Sequence, residues 1–135
     1  MTNGAFAGKW TYRSFHNTAG HLDDINGLLF GEGDLELAEP ATGKLFGTIR
    51  FGTELALDVQ GSSAFGEPFV ARFRGVGRDG TKTAGWIYDY VGFLNPHWPH
   101  GARQIDAFVG TVIRSAPHND RPAGVVASFI AVRQP

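Results

Sequence analysis

Apolar and polar positions alternate with a period of two along most of this chain, and clusters of Gly, Pro, Asn and Asp cut the pattern into eight short runs. The runs predict strands over 9–15, 28–38, 44–51, 54–60, 69–75, 84–94, 104–114 and 124–133. Between them lie turn-forming segments such as Pro40-Ala41-Thr42-Gly43, Arg78-Asp79-Gly80 and the stretch from Pro117 to Pro122, and Gly61-Ser62-Ser63 also reads as a turn. Most connections are of hairpin length. Sequential hairpins make a meander, and a meander of eight strands closes into a barrel, which removes the exposed edges. The expected fold is therefore all-β: a single eight-stranded antiparallel up-and-down β-barrel. Segments 17–26 and 95–102 lack the apolar spacing of a packed helix and are expected to be loops, with at most one helical turn, placed to cover a barrel mouth.

Side-chain alternation assigns faces. Leu55, Leu57 and Val59 oppose Glu54, Ala56 and Asp58; Phe69, Ala71 and Phe73 oppose Arg72 and Arg74; Leu35 and Leu37 oppose Asp34 and Glu36. In each case the apolar set is core and the other face is wet. Strands six to eight differ, being apolar on both faces: Trp86, Tyr88 and Tyr90 oppose Ile87, Asp89 and Val91, and Phe108 and Val112 oppose Ala107, Val109 and Ile113. Parity alone does not choose which of these faces looks inward. A wall that is apolar on both sides calls for a cover. With no amphipathic helix available, a second copy is the expected cover, which predicts a homo-oligomer through strands six to eight.

The 135 residues suit one domain, 1–135. Charged residues make up 19% of the chain and 19 glycines punctuate it, as in a tightly turned β protein. With 12 basic and 13 acidic residues and the arginines scattered, no nucleic-acid footprint stands out. The absence of cysteine rules out disulfides, a thiolate nucleophile and cysteine-ligated metal. No apolar run is long enough for a membrane span and the N-terminal residues do not form a secretion signal. A cytoplasmic protein is expected, although one whose signal had been removed would read the same.

The first run carries Gly8-Lys9-Trp10 and the last carries Arg133. This pairing is similar to the Gly-x-Trp and closing Arg of the calycin group of lipocalins, fatty-acid-binding proteins and avidins. Gly8-Lys9-Trp10-Thr11 also resembles the opening of avidins, and the eight-strand meander resembles the barrels of allene oxide cyclase and its relatives. The resemblance implies that Trp10 plugs one end, that Arg133 packs across its ring, and that the barrel holds a small, largely apolar ligand. The chain departs from lipocalins in length, in lacking cysteine, and in that Ile87-Tyr88-Asp89-Tyr90 does not reproduce their Thr-Asp-Tyr turn in position. With only Trp10, Trp86 and Trp98, it also lacks the series of late-strand tryptophans of avidin-type sites, so biotin binding is not implied.

Candidate chemistry is sparse. Tyr12, Ser14 and His16 share the face of Trp10, with Trp10 as a core plug and His16 either at the mouth or in solvent. Asp89, among Ile87, Val91 and Phe93, must be hydrogen-bonded, paired or neutral if its strand is buried. Asp106 on the next strand could approach it, and two carboxylates in a lumen would form an acid/base pair. Alternatively, each serves structure by accepting from an arginine such as Arg103 or Arg114. The loop after Leu94 carries His97, Trp98 and His100. With His16, His21 and His118 these could hold a metal if they converged. Yet the spacing matches no closed zinc signature and Pro96 and Pro99 keep the loop extended, so no metal is predicted and Trp98 is read as an aromatic lid. A nucleophile elbow is absent, and Gly31-Glu32-Gly33 lacks the third glycine and helix of a dinucleotide loop.

Two function classes remain. One is a barrel that binds a small apolar or aromatic molecule among Trp10, Tyr12, His16, Phe69, Phe73, Trp86, Tyr90, Trp98 and Phe108. The other is an isomerase, cyclase, hydratase or lyase working without a cofactor, in which Asp89, Asp106 or His97 moves a proton and Tyr88 polarises a carbonyl. Neither requires a nucleic acid or a membrane.

Overall fold

In the computed structural model, residues 5–17, 25–41, 43–64, 69–100 and 103–135 are described. Eight strands follow in chain order: β1 (Gly8–His16), β2 (Leu29–Ala41), β3 (Lys44–Phe51), β4 (Leu55–Ala64), β5 (Val70–Gly77), β6 (Ile87–Leu94), β7 (Ala107–Arg114) and β8 (Val126–Arg133). Each pairs antiparallel with the next, and β8 pairs with β1, so the sheet is a closed barrel in meander order. A single 3₁₀ turn, Ile25–Leu28, leads into β2. Among the described residues no helix is long and apolar enough to cross a membrane.

Strand limits depart from the expected ones where tertiary bonds overrule local composition. Gly61-Ser62-Ser63 is not a turn but part of β4, because Ser62 is held between Lys44 of β3 and Arg72 of β5. β6 starts later than expected, since the buried Thr83 fixes residues 78–86 as a loop. Its hydroxyl donates to the Ala56 carbonyl at 2.8 Å and accepts from the Arg78 amide at 3.2 Å. Most of the expected loop 17–26 lies outside the described residues.

Parity in β6 to β8 resolves in favour of Tyr88, Tyr90, Phe108, Val112, Ala127, Phe129 and Ala131, all buried inside with Leu35, Leu37, Leu57, Val59 and Phe73. The lower lumen is filled: a Cβ added at Gly92 would stand 2.8 Å from Phe108 and 2.9 Å from Phe129, so the rings pack directly on backbone there. The outer face of the same wall is apolar. Phe93, Val109 and Ile130 stand in one cross-strand row, and Ile113 and Val126 in another.

One end is shut by the residues that carry the calycin resemblance. Trp10 is fully buried, donates through Nε1 to the Phe6 carbonyl at 3.0 Å and meets Phe108 edge-on at 4.7 Å. The Arg133 guanidinium lies 4.2 Å from the centre of the Trp10 ring. It donates to the Asp106 carboxylate at 2.9 Å and to the carbonyls of Ala7 and Ala5 at 2.7 and 2.8 Å. A carboxylate, two carbonyls and a ring face thus satisfy this cation. The architecture is compatible with a calycin-like barrel.

Candidate functional site

Toward the other end an inward position of β2 loses its side chain. Gly31 stands opposite Ser14 and lines the hollow, whereas a Cβ at Gly33 would fall on the Arg50 carbonyl and one at Gly75 against Leu57 and Tyr90. A Cβ at Gly31 would meet Ser14 Oγ at 3.3 Å and Phe51 at 3.4 Å, so the missing side chain is missing from the lumen. The result is a cavity of about 750 Å³ at this end.

Its floor is made by Tyr12 and Tyr90, both buried and set edge to face at 6.0 Å. Burial pushes both phenols well above their ordinary range, so they are neutral donors at any physiological pH. Phe30, Phe51 and Trp86 add apolar walls, and Glu32, Lys82 and Arg121 stand among the lining groups.

The polar centre belongs to β6, β7 and the turn after β7. Arg114 shares the inward parity of Phe108 and Val112 and is 4% exposed. Its Nε donates to the Tyr88 hydroxyl at 3.1 Å and its Nη1 to the Pro122 carbonyl at 3.2 Å. Its guanidinium also lies 5.1 Å from the centre of the Phe30 ring and 5.8 Å from that of Tyr88. The Tyr88 hydroxyl is 2.6 Å from His118 Nε2. Arg114 can only donate, so the Tyr88 oxygen accepts from it, and the direction of the Tyr88–His118 bond follows the imidazole tautomer. His118 Nδ1 is buried without a partner. Burial, and then the charges of Arg114 and Arg121, hold His118 below the ordinary imidazole value, in keeping with a neutral ring.

Local sequence explains how His118 gets there. His118 and Arg121 exchange backbone hydrogen bonds of 2.8 and 3.1 Å around Asn119 and Asp120, whose φ values are 48° and 61°. Two left-handed residues form the tight turn that Asn and Asp tolerate best. The turn folds His118 over the cavity, stacked on Trp86 at 4.0 Å.

Of the residues singled out from sequence, Tyr12, Trp86, Tyr88 and Tyr90 line this cavity together. His16 packs beside it, edge-on to Phe30 at 4.9 Å. Phe73 is buried next to it, stacked on Tyr90 at 4.8 Å, and Phe69 is half-buried against the core. Trp10 and Phe108 belong to the closed end.

The carboxylates do not form a lumen pair. Asp89 faces outward, opposite Arg74 across β5 and β6, whose guanidinium grips it at 2.8 and 3.0 Å, and Ser115 also donates to it. That pairing, led by the Arg74 bond, holds its carboxyl below the usual range. Asp106 sits just before β7 at the closed end, between His97 Nε2 at 2.5 Å and Arg133. His97 first, and then Arg133, hold its carboxyl low as well. The loop carrying His97 and Trp98 joins β6 to β7 at the closed end, so Trp98, 72% exposed, is no lid on the cavity. Gln104 pins this loop by accepting from the Trp98 amide and donating to the Pro96 carbonyl. Among the described residues no three His, Asp or Glu side chains converge as a metal site, and His21 lies outside them.

No protein-family model, curated protein or solved structure matches this chain. The site is therefore read from its own chemistry: a ring-lined pocket with a buried cation, two neutral phenols on the floor, and a tyrosine and imidazole in hydrogen-bond contact.

Sequence reasoning passed over Arg114 as a site residue and weighed His118 only as a metal ligand. Arg114 was within reach, since it keeps step with Phe108 and Val112. The signal for His118 was Asn119-Asp120 flanked by hairpin strands, a turn that must project its neighbours at a barrel rim.

Proposed function

We propose that this barrel binds a small, largely apolar or aromatic molecule in the cavity at its open end. The observation that carries the reading is the contrast between the ends: one packed solid around Trp10, the other left hollow beside Gly31 within a ring of aromatic side chains. Burial against Phe30, Phe51 and Trp86 supplies affinity, and the Tyr12, Tyr88 and Tyr90 hydroxyls supply orientation. Trp86 fluorescence on titration with 2-naphthamide, a planar neutral probe, tests it: saturable quenching lost in Gly31→Leu is expected, and quenching that survives this filling of the cavity overturns it.

A second reading, cofactor-free proton transfer, is favoured by the 2.6 Å contact between Tyr88 and His118 within the cavity, and not by the aspartates. We also propose that the outer face of β6 to β8 joins two copies of the chain. Phe93, Ile113, Val126 and Ile130 are each more than a third exposed there, and Asp89 is the one ionisable group in the rows they form. Native mass spectrometry tests this: a dimer that Ile130→Lys converts to monomer is expected, and a monomeric wild-type chain overturns it.

A further inference from the structure

We infer that the ligand of this cavity is an aromatic carboxylate whose anionic group pairs with Arg114. The inference rests on the binding reading above and adds the charge and the anchoring residue.

Arg114 and Arg133 are the two guanidiniums that turn toward the barrel interior, and only one is neutralised. Arg133 has the Asp106 carboxylate at 2.9 Å. Arg114 is buried more completely, yet among the described residues no carboxylate pairs with it. Two of its five N–H groups are spent on Tyr88 and Pro122, which leaves three of the five without a protein acceptor there. The arginine lines the cavity, so these donors are open to whatever fills it. A buried cation without a counter-ion is costly, and an incoming carboxylate removes that cost while matching the planar fork of the guanidinium.

The other charged groups of the cavity do not compensate it. Glu32, its one carboxylate, is 3.7 Å from Arg13, and Lys82 is bound to Glu54. Arg121 adds a second positive charge at the mouth with no carboxylate partner among the described residues. A negative ligand therefore meets a field of its own complement on entry. Phe30 and Tyr88, already stacked under the Arg114 cation, continue into the apolar wall where the ring system of the ligand lies.

The test compares two probes that differ only in charge, 2-naphthoate and 2-naphthamide, by calorimetric titration of the full chain. Naphthoate is expected to bind roughly tenfold to a hundredfold more tightly, the range of a hydrogen-bonded charge. Arg114→Gln is expected to abolish this ratio and Arg114→Lys to keep part of it. A second measurement needs no variant: in a crystal soaked with 6-bromo-2-naphthoate, the bromine signal orients the ring, and the carboxylate is expected against Arg114. Equal affinities in the wild-type chain, or a carboxylate placed away from Arg114, overturn the inference and leave the cavity reading standing. Failure of both probes to bind overturns both.

Discussion

Arg133 and Arg114 show how the same side chain serves structure at one end of a barrel and a ligand at the other. Replacing Arg133 by Met leaves the carbonyls of Ala5 and Ala7 without this donor and the Asp106 carboxylate with His97 as its remaining partner, so a loss of about 1–3 kcal/mol in unfolding free energy is expected from urea denaturation. Arg114→Met removes a buried cation that lacks a carboxylate, and the same measurement should show stability within about 1 kcal/mol of wild type, or above it. His118 gives a signature in pH. Its folded-state value lies below the ordinary 6.5, so on acidification through that value the unfolded chain takes up a proton that folded His118 refuses. The stability tied to the neutral ring is thus complete above pH 6.5 and declines below it. Thermal melts across this range should show a decline that His118→Gln lacks; an imidazole titrating at or above 6.5 by NMR would contradict it. The place of Arg133 across Trp10 was legible from the resemblance, but the roles of Arg114 and His118 were not legible from residue type. An arginine in a strand reads as solvent-facing, and only its phase relative to Phe108 marks Arg114 as internal.

The strands were legible because turn-forming residues bound the runs and most core positions keep the period of two. What the chain could not display is the phase of β6 to β8, where apolar side chains occupy both faces. Asp89 seemed internal for that reason. Its true place follows from register, since β5 sets Arg74 directly opposite it, and register is a property of the closed sheet and not of either strand. Asp89→Asn should accordingly leave naphthalene-probe affinity unchanged. Glycines inside strands were equally ambiguous: Gly61 read as a turn but lies in a ladder. Gly110 shows why such positions stay glycine, because a Cβ there would fall on the Val91 carbonyl of the neighbouring strand. Gly110→Ala is expected to cost about 1–3 kcal/mol or more by urea denaturation, through displacement of β6 from β7.

Closure into a barrel with one plugged and one hollow end makes ligand binding and folding a single equilibrium. A probe at a hundred times its Kd should add about 2.7 kcal/mol to the unfolding free energy measured by calorimetry. The fold class was readable from the eight runs, and the plugged end from Gly8-Lys9-Trp10 and Arg133, but the hollow end was not, because a glycine inside a strand, such as Gly31, does not show on its own whether its missing side chain leaves space or is replaced by a neighbour. The bonds from Arg133 to Ala7 and Ala5 span 126 and 128 residues of chain. They set an order of events during synthesis. β1 leaves the ribosome early with its Trp10 and an unpaired edge, and nothing can shield that edge until β8 has also emerged. Loop closure over such a separation is slow, so the nascent chain spends its longest interval as an open, curling sheet that chaperones or a neighbouring nascent chain can engage.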